Sequence, residues 1–343
     1  MIKLDKYRKE EKESAKIKDL FYEYNLGAKP FLKWAGGKSQ LLEKFRELYP
    51  FELKVGIIKN YYEPFLGSGA VFFHIVQNFR IENAFLYDIN EELIITYKVI
   101  QRDINRLLDY LYDYQKVYYR LNKKKKQEFY YEQRTNYNLQ RFNINYKSYS
   151  ENWVPRAAQL IFLNRTCYNG LYRVNSKGEF NSPAGDYDNP KICDEENLLL
   201  VHKVLQLATI KACDFKEIKN DLSDHSFIYF DPPYRPLNTT SNFNSYSHHN
   251  FSDDEQKELA KVFKALHKDG HKLMLSNSDP KNVDPNDNFF DKLYEGFNIH
   301  RIQAKRMINS IATKRGEISE LVITNYSNYL WEKDKKATLQ VIN

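Results

Sequence analysis

Residues 61–69 read Tyr-Tyr-Glu-Pro-Phe-Leu-Gly-Ser-Gly and carry the clearest signal of the fold. A short strand-like run ends there in an acid, and a Gly-x-Gly turn then leads into the helical apolar spacing of residues 71–76. Such a turn lets the backbone approach a nucleotide-like ligand closely. The position where a dinucleotide fingerprint has its third glycine is Phe72, which argues against NAD.

An acidic residue also ends the next strand-like run. Asp88 follows residues 84–87 and lies 21 residues after Gly67. A carboxylate in that position accepts hydrogen bonds from the hydroxyls of a ribose. The Gly-x-Gly turn alone fits a structural turn as well, but together with Asp88 it favours a nucleoside cofactor.

Apolar runs alternate with helical patterns from residue 60 onward, which is typical of βαβ units around a parallel sheet. The sequence therefore predicts an α/β fold. The predicted strands are residues 60–62, 84–87, 209–213, 227–230, 272–276, 298–303 and 320–325. Four of them run into an acid, namely Glu63, Asp88, Asp214 or Asp231. Ligands of open α/β sheets bind beyond the carboxyl ends of the strands, so we expect these acids to line one cleft.

The strand rhythm stops between residues 101 and 200, where the pattern is mainly helical. We therefore divide the 343 residues into an N-terminal arm (1–26), a main α/β domain (27–100 and 201–343) and an inserted, mainly helical domain (101–200). No Pro-rich or Ser-rich linker flanks the insertion. We expect it to pack against the sheet domain.

Composition excludes several classes of protein. Apolar residues make up 42% of the chain, and the mean hydropathy is −0.69. No apolar run approaches the ~18 residues of a membrane span. The charged start lacks the apolar centre of a secretory signal, which predicts an intracellular, cytoplasmic protein. The three cysteines and eight histidines have no metal-ligand spacing, so we predict neither disulfides nor a metal site.

The positive charge is concentrated in the insertion. Lys and Arg outnumber Asp and Glu by 52 to 45 overall, and by 15 to 7 between residues 101 and 180. Residues 101–190 also hold 13 of the 27 tyrosines. Basic residues among stackable aromatics suit a polyanion with exposed bases. A solvated helical face over a Tyr-rich core is the alternative, and composition alone leaves both open.

A second glycine pair lies in Trp34-Ala35-Gly36-Gly37-Lys38. A phosphate-binding loop requires its first glycine at position 32, where Leu32 stands, so a nucleoside triphosphatase is excluded. What remains is an aromatic ring, a flexible backbone and a cation within five residues. Such a loop suits a small zwitterion, although a structural loop is an equal alternative.

The strongest signal is Asp231-Pro232-Pro233-Tyr234, directly after the apolar run 226–230. Two prolines fix the backbone and remove two N–H donors, which leaves carbonyl oxygens free beside the Asp231 carboxylate. This pocket suits an exocyclic amino group, a planar donor of two hydrogens, with Tyr234 stacked on the ring that carries it. The alternative is a rigid turn, which is less common when an acid ends the strand and a second aromatic follows.

Together these motifs resemble a known family. Residues 31–38 (Phe-Leu-Lys-Trp-Ala-Gly-Gly-Lys), residues 63–69 and residues 231–234 occur in that order, and the loop 168–183 precedes the last of them. This set is similar to the Dam-type adenine-specific DNA methyltransferases of the alpha arrangement. The resemblance spans roughly residues 30–330 and implies a Rossmann-like, S-adenosylmethionine-dependent sheet, with the insertion as target-recognition domain.

The resemblance also implies roles for individual residues. Catalysis falls to Asp231, Pro232, Pro233 and Tyr234. The implied cofactor-binding residues are Trp34, Ala35, Gly36, Lys38, Glu63, Phe65, Gly67, Gly69, Asp88, Asp214, Phe215 and Asp231. The implied contacts to target DNA are Lys33, Tyr168, Asn169, Leu171, Arg173 and Pro183.

The implied reaction is methylation of adenine N6 at a short site in duplex DNA, with GATC as the first candidate and CATG as the second. The chain would act as a solitary methylase or beside a restriction endonuclease that acts on the same site without required contact. Two other classes stay open. A non-catalytic nucleic-acid-binding protein has no use for the pocket at Asp231, and methyltransferases of protein amides typically carry Asn there; a methyltransferase of RNA would share the pocket.

Overall fold

The computed structural model describes residues 27–235, 251–305 and 317–327. The N-terminal arm (1–26) and the end of the α/β domain (328–343) predicted above lie outside these residues. The helices are α1 (Leu42–Leu48), α2 (Phe51–Lys54), α3 (Ala70–Asn78), α4 (Glu91–Arg102), α5 (Ile104–Arg120), α6 (Lys123–Gln140), α7 (Trp153–Thr166), α8 (Glu195–Leu205), α9 (Asp253–Lys268) and α10 (Phe289–Leu293). The strands are β1 (Asn60–Glu63), β2 (Asn83–Asp88), β3 (Ala208–Ala212), β4 (Ser226–Phe230), β5 (Lys272–Ser278), β6 (Asn298–Lys305) and β7 (Glu317–Thr324).

The seven strands form one sheet in the order β3-β2-β1-β4-β5-β7-β6. Strands β1 to β5 pair in parallel, and β7 runs antiparallel to both β5 and β6. The prediction of an α/β fold is confirmed, and each predicted strand overlaps an observed one. All five residues of β4 are buried, as expected for an apolar run in the middle of a parallel sheet.

The order of the strands reverses between β1 and β4. From β1 the chain builds outward through β2 to β3, and from β4 it builds the other way through β5. In open α/β sheets this switch point is where the ligand-binding crevice forms, at the carboxyl ends of the strands. Glu63 is the last residue of β1, and Asp231 directly follows β4. The topology therefore places the acids of two sequence motifs at the switch point.

Between β2 and β3 the chain forms the five helices α4 to α8. Helix α7 is buried on nearly every side, and it packs against α4, α5 and α6. A helix that is buried all round is expected to be apolar all round, as α7 mostly is. Helix α4 begins beside the sheet and ends at Arg102, so it extends across residue 101, where the predicted insertion begins. Among the residues that the model describes, no helix is long and apolar enough to cross a membrane.

Candidate active site

The Asp231 carboxylate is held by two groups. The ammonium of Lys38 lies 2.7 Å from its Oδ1 and is almost completely buried. The hydroxyl of Ser276, near the end of β5, donates to the same oxygen over 3.0 Å. About a fifth of the Asp231 side chain stays exposed. A donor from the N-terminal motif thus meets the carboxylate that follows β4, although the two lie 193 residues apart in sequence.

Tyr234 contacts the same cluster through its ring and through its hydroxyl. The Lys38 ammonium lies 4.8 Å from the centre of the ring, within range of a cation–π interaction. The hydroxyl donates to Glu320 of β7 over 2.9 Å. The cluster therefore contains one cation and two carboxylates, those of Asp231 and Glu320.

The pKa values of these groups follow from burial and from their neighbours. Burial alone would lower the pKa of Lys38, but Asp231, Tyr234 and Glu320 outweigh it and hold this pKa above its usual value. Burial raises the pKa of Asp231, which Lys38 and Ser276 oppose. Burial also raises the pKa of Glu320. Lys38 therefore stays charged at neutral pH, and the pKa of each carboxyl lies above its ordinary range.

Asp88, at the end of β2, is oriented by the glycine turn. Its Oδ2 accepts from the Gly67 amide over 3.0 Å, and its Oδ1 accepts from the Asn90 amide over 2.9 Å. Gly69 has a left-handed backbone (φ 68°), and a Cβ there would lie 2.8 Å from the Tyr97 hydroxyl. Only glycine fits that position, because a side chain would meet both strain and a close contact.

Trp34 joins the first motif to the helical region. Its ring stacks on Tyr172 with centres 4.9 Å apart and an angle of 18° between planes. It also packs against Gly67, where a Cβ would lie 3.1 Å from the indole. The backbone carbonyl of Gly36 accepts from the Lys38 ammonium over 2.8 Å, while Ala35 is half-buried beside them. Residues 34–38 and 67–69 therefore face each other at the carboxyl edge of the sheet.

The remaining cofactor candidates have different surroundings. Glu63 is buried and accepts from the Tyr61 hydroxyl over 2.6 Å. Burial raises the pKa of Glu63, and nearby Asp231 and Asp88 raise it further. Phe65 and Phe215 form an aromatic pair 5.4 Å apart beyond β1 and β3. Asp214 is half-buried and caps the turn that follows β3.

The DNA-contact candidates lie on one loop and beside it. Tyr168, Asn169, Pro183 and Lys33 are exposed. Leu171 and Arg173 are half-buried, and the Arg173 Nε donates to Asn181 over 2.8 Å. The tertiary structure thus brings Lys33 to the loop that follows α7, where a Cβ on Gly170 would lie 2.3 Å from the Lys33 side chain.

A buried amide holds these two segments together. The Asn164 side chain in α7 accepts from the Lys33 amide and donates to the carbonyls of Lys33 and Gly170, each over 2.9 Å. Sequence reasoning missed Asn164, Ser276 and Glu320. Only Glu320 has a local signal, since it is a charged residue within the apolar pattern of β7. No group of three His, Cys, Asp or Glu side chains that suits a metal ion occurs in the part of the chain described.

Comparison with known proteins assigns the family. A family model for D12 class N6 adenine-specific DNA methyltransferases matches residues 34–308, which include every catalytic and cofactor candidate above. The chain therefore belongs to this family and is an adenine-specific DNA methyltransferase. This confirms the family and the enzyme class predicted from the sequence, and the family description leaves no support for a non-catalytic binding protein or for a methyltransferase of RNA or protein.

Individual relatives match over nearly their whole length. Type II methyltransferase M.MjaIII of Methanocaldococcus jannaschii is 51% identical over 87% of this chain and 99% of its own. Type II methyltransferase M1.LlaDCHI of Lactococcus lactis subsp. cremoris is 37% identical over 90% of this chain and 100% of its own. The DNA adenine methylase of Haemophilus influenzae is 31% identical over 86% of this chain and 92% of its own.

Proposed function

We propose that the methyl donor is S-adenosyl-L-methionine, held by residues 34–38 and 67–69 and by Asp88. The donor supplies an electrophilic methyl group on a sulfonium centre. The support is the chemistry of the groups at this edge of the sheet. Asp88 presents an oriented carboxylate for ribose hydroxyls, and the glycine turn leaves room for close backbone approach. Phe65, which follows β1, and Asp214 and Phe215, which follow β3, would surround the adenine of the cofactor.

The observation that carries the proposed catalytic role is the ion pair between Lys38 and Asp231. The ammonium shows where a nitrogen donor binds the carboxylate, at 2.7 Å from Oδ1. The amino group of a target adenine is a donor of the same kind. Asp231 and the Pro232 carbonyl would accept its two hydrogens and turn the nitrogen lone pair out of the ring plane. The Tyr234 ring would stack on the base.

In this mechanism the adenine is first turned out of the duplex, at a cost of a few kcal/mol of stacking and pairing. Contacts of Lys and Arg side chains with phosphates offset that cost. Bound S-adenosyl-L-methionine would supply the methyl group and leave as its neutral thioether. Asp231 and the Pro232 carbonyl would orient the adenine amino group, and the proton that it loses would pass to solvent. The residues of this chain act through orientation and electrostatics.

We further propose that Lys33 and the loop 168–183 read the target site. Arg173 suits a bidentate contact with guanine, and Leu171 and Pro183 suit the methyl group of thymine. GATC is the first candidate site and CATG the second, as the resemblance to Dam-type enzymes implies. Tyr168 and Asn169, exposed on the same loop, would contact neighbouring positions.

The domain division predicted from the sequence, with residues 101–200 as target-recognition domain, is part of this proposal. Two relatives are named type II methyltransferases. This supports a role beside a restriction endonuclease that acts on the same site.

Sequencing of genomic DNA from cells that express the chain tests activity and target together. We expect N6-methyladenine at one short motif, with GATC favoured. Adenine methylation without any sequence preference would contradict the proposed reading loop.

A further inference from the structure

A cationic depression lies beside the carboxyl-terminal half of α4. Its volume is about 380 Å³. Its lining includes three cationic residues and two aromatic residues, namely Lys98, Arg102, Lys147, Tyr149 and Trp153. None of the described residues that line it is acidic. The lining therefore carries a net positive charge, and the depression lies outside the catalytic cluster described above.

Aromatic rings, and not carboxylates, hold two of the cations in place. The guanidinium of Arg102 lies 4.4 Å from the centre of the Tyr149 ring, and the Lys98 ammonium lies 5.9 Å from that of Trp153. Trp153 is itself buried, and its indole N–H donates to the Asn145 carbonyl over 2.9 Å. A cation on an aromatic face is oriented without using its N–H donors.

The N–H donors of this cluster are unused within the described chain. The side chains of Lys98, Arg102 and Lys147 form no hydrogen bond or ion pair with any residue that the structure describes. Burial lowers the pKa of Lys98, and the neighbouring cations Arg102 and Lys211 lower it further. Like charges at close range raise the free energy of the protein unless an anion joins them.

Stabilisation of the helix explains only part of this arrangement. Arg102 lies in the last turn of α4, where a cation favours the helix dipole. Lys147 belongs to the segment between α6 and α7, so the dipole gives no reason for its position. The three cations converge from two separate parts of the chain on one depression.

We infer that this depression binds phosphate groups. The planar fork of Arg102 and the two ammonium groups match the oxygens of a phosphate. The Tyr149 and Trp153 rings orient Arg102 and Lys98, and the cations themselves recognise the anion.

Two sources supply the same chemistry: the backbone of DNA that flanks the target site, or a free phosphate compound. Helix α4 starts three residues after Asp88 and is 12 residues long, which is about 18 Å. The depression lies beside the first residue of β3, where Gln101 donates to the Ala208 carbonyl, so DNA bound at the carboxyl edge of the sheet would reach it only through base pairs outside the target site. The flanking-DNA source rests on the proposed function, whereas the affinity for phosphate does not.

The first test measures thermal unfolding with inorganic pyrophosphate as the probe, at ionic strength held constant with sodium chloride. A ligand that binds only the folded state raises the unfolding temperature in a saturable way. We expect this rise for the wild type and its loss in Lys98→Gln/Arg102→Gln. The matched control is Lys264→Gln/Lys268→Gln on α9, which removes two exposed cations with the same spacing and should keep the rise.

The second test measures binding to duplexes of about 12 and about 40 base pairs over a range of salt. The α4 variant is Lys98→Gln/Arg102→Gln. If this variant binds only the long duplex more weakly, and the magnitude of the slope of log K against log salt falls by about 1–2, flanking DNA is the source of the phosphate groups. Unchanged binding of both duplexes, with the pyrophosphate response lost, identifies a free phosphate compound. If the α4 variant and the α9 control behave alike in both tests, the inference is wrong. Methyl transfer by the α4 variant on the short duplex reports separately on the proposed function.

Discussion

The hydroxyl of Tyr234 donates a 2.9 Å hydrogen bond to Glu320, which ties the segment after β4 to the antiparallel strand β7. The Lys38 ammonium lies 4.8 Å from the centre of the same ring. The ring is therefore fixed both at its hydroxyl and at its face. Glu320 acts on the proposed base-stacking wall through Tyr234, which makes it a positioning residue.

A double-mutant cycle on Tyr234→Phe and Glu320→Ala measures this coupling. Each change removes the same hydrogen bond to a charged acceptor, worth about 1.5–3 kcal/mol. We expect each single variant to lower kcat/KM by roughly 10-fold or more, and the double variant to lose little beyond the larger single effect. Effects that multiply would show that Glu320 acts independently of Tyr234.

The buried amide of Asn164 should position the reading loop. Asn164→Ala removes the hydrogen bonds that join Lys33 to Gly170. We expect a loss of about 1–3 kcal/mol in the free energy of unfolding. We also expect a weaker preference for the cognate site over sites with one substituted base pair, measured as the ratio of kcat/KM values.

The chain offers a matched control for this prediction. Asn197 is a second buried amide that clamps one residue, accepting from the Lys29 amide and donating to the Lys29 carbonyl over 3.0 Å each. Asn197→Ala should cost similar stability and leave the discrimination between sites unchanged. Equal loss of discrimination in both variants would mean that Asn164 acts only through stability.

Local patterns in the sequence were enough to predict the strands of the sheet and the acidic residues at its carboxyl edge. Each strand is a short apolar run, and Asp88 and Asp231 come at the ends of such runs, where parallel strands place their ligand-binding residues. The observed β2 and β4 contain the predicted runs.

Contacts between segments that are far apart in sequence could not be predicted from such local patterns. Neither Ser276 nor Asn164 belongs to a motif, and each acquires its role from a partner 45 or 131 residues away. The ion pair of Lys38 with Asp231 also had no signal in the sequence, since the two residues belong to separate motifs. Pairings of this kind depend on the tertiary fold, which residue spacing does not encode.

Cofactor affinity should depend on Asp88. Asp88→Ala removes the carboxylate that the Gly67 and Asn90 amides orient and that we assign to the ribose. We expect S-adenosyl-L-methionine to bind roughly 10- to 100-fold more weakly by calorimetry, because hydrogen bonds to a charged group are lost. DNA affinity in the absence of cofactor should change little. Unchanged cofactor affinity would remove Asp88 from the site.

The acid side of the pH profile should report on Asp231. The proposed mechanism requires the carboxylate form of Asp231, and burial raises its pKa, so kcat/KM should fall on acidification at a pH above the ordinary range of aspartate. Ser276→Ala removes a hydrogen bond that lowers this pKa. We expect the acid limb to move to higher pH by up to about one unit.

Tyr229→Phe is the control for that shift. The Tyr229 hydroxyl shares a 2.7 Å hydrogen bond with Ser276. This variant disturbs the same serine but keeps its bond to the carboxylate, so the acid limb should stay in place. A shift to lower pH in Ser276→Ala would show that another group controls the limb.

Transfer of a methyl group to adenine N6 of duplex DNA should depend on Asp231. The purified protein is supplied with S-adenosyl-L-methionine labelled in the methyl group and, in parallel reactions, with duplex DNA, RNA or bulk protein, and the nucleosides are separated after digestion. We expect label only in N6-methyladenine from the duplex. Asp231→Ala should abolish the transfer while its thermal unfolding remains cooperative. Near-normal labelling by Asp231→Ala, or label in cytosine, RNA or protein, would rule out adenine methylation that depends on Asp231.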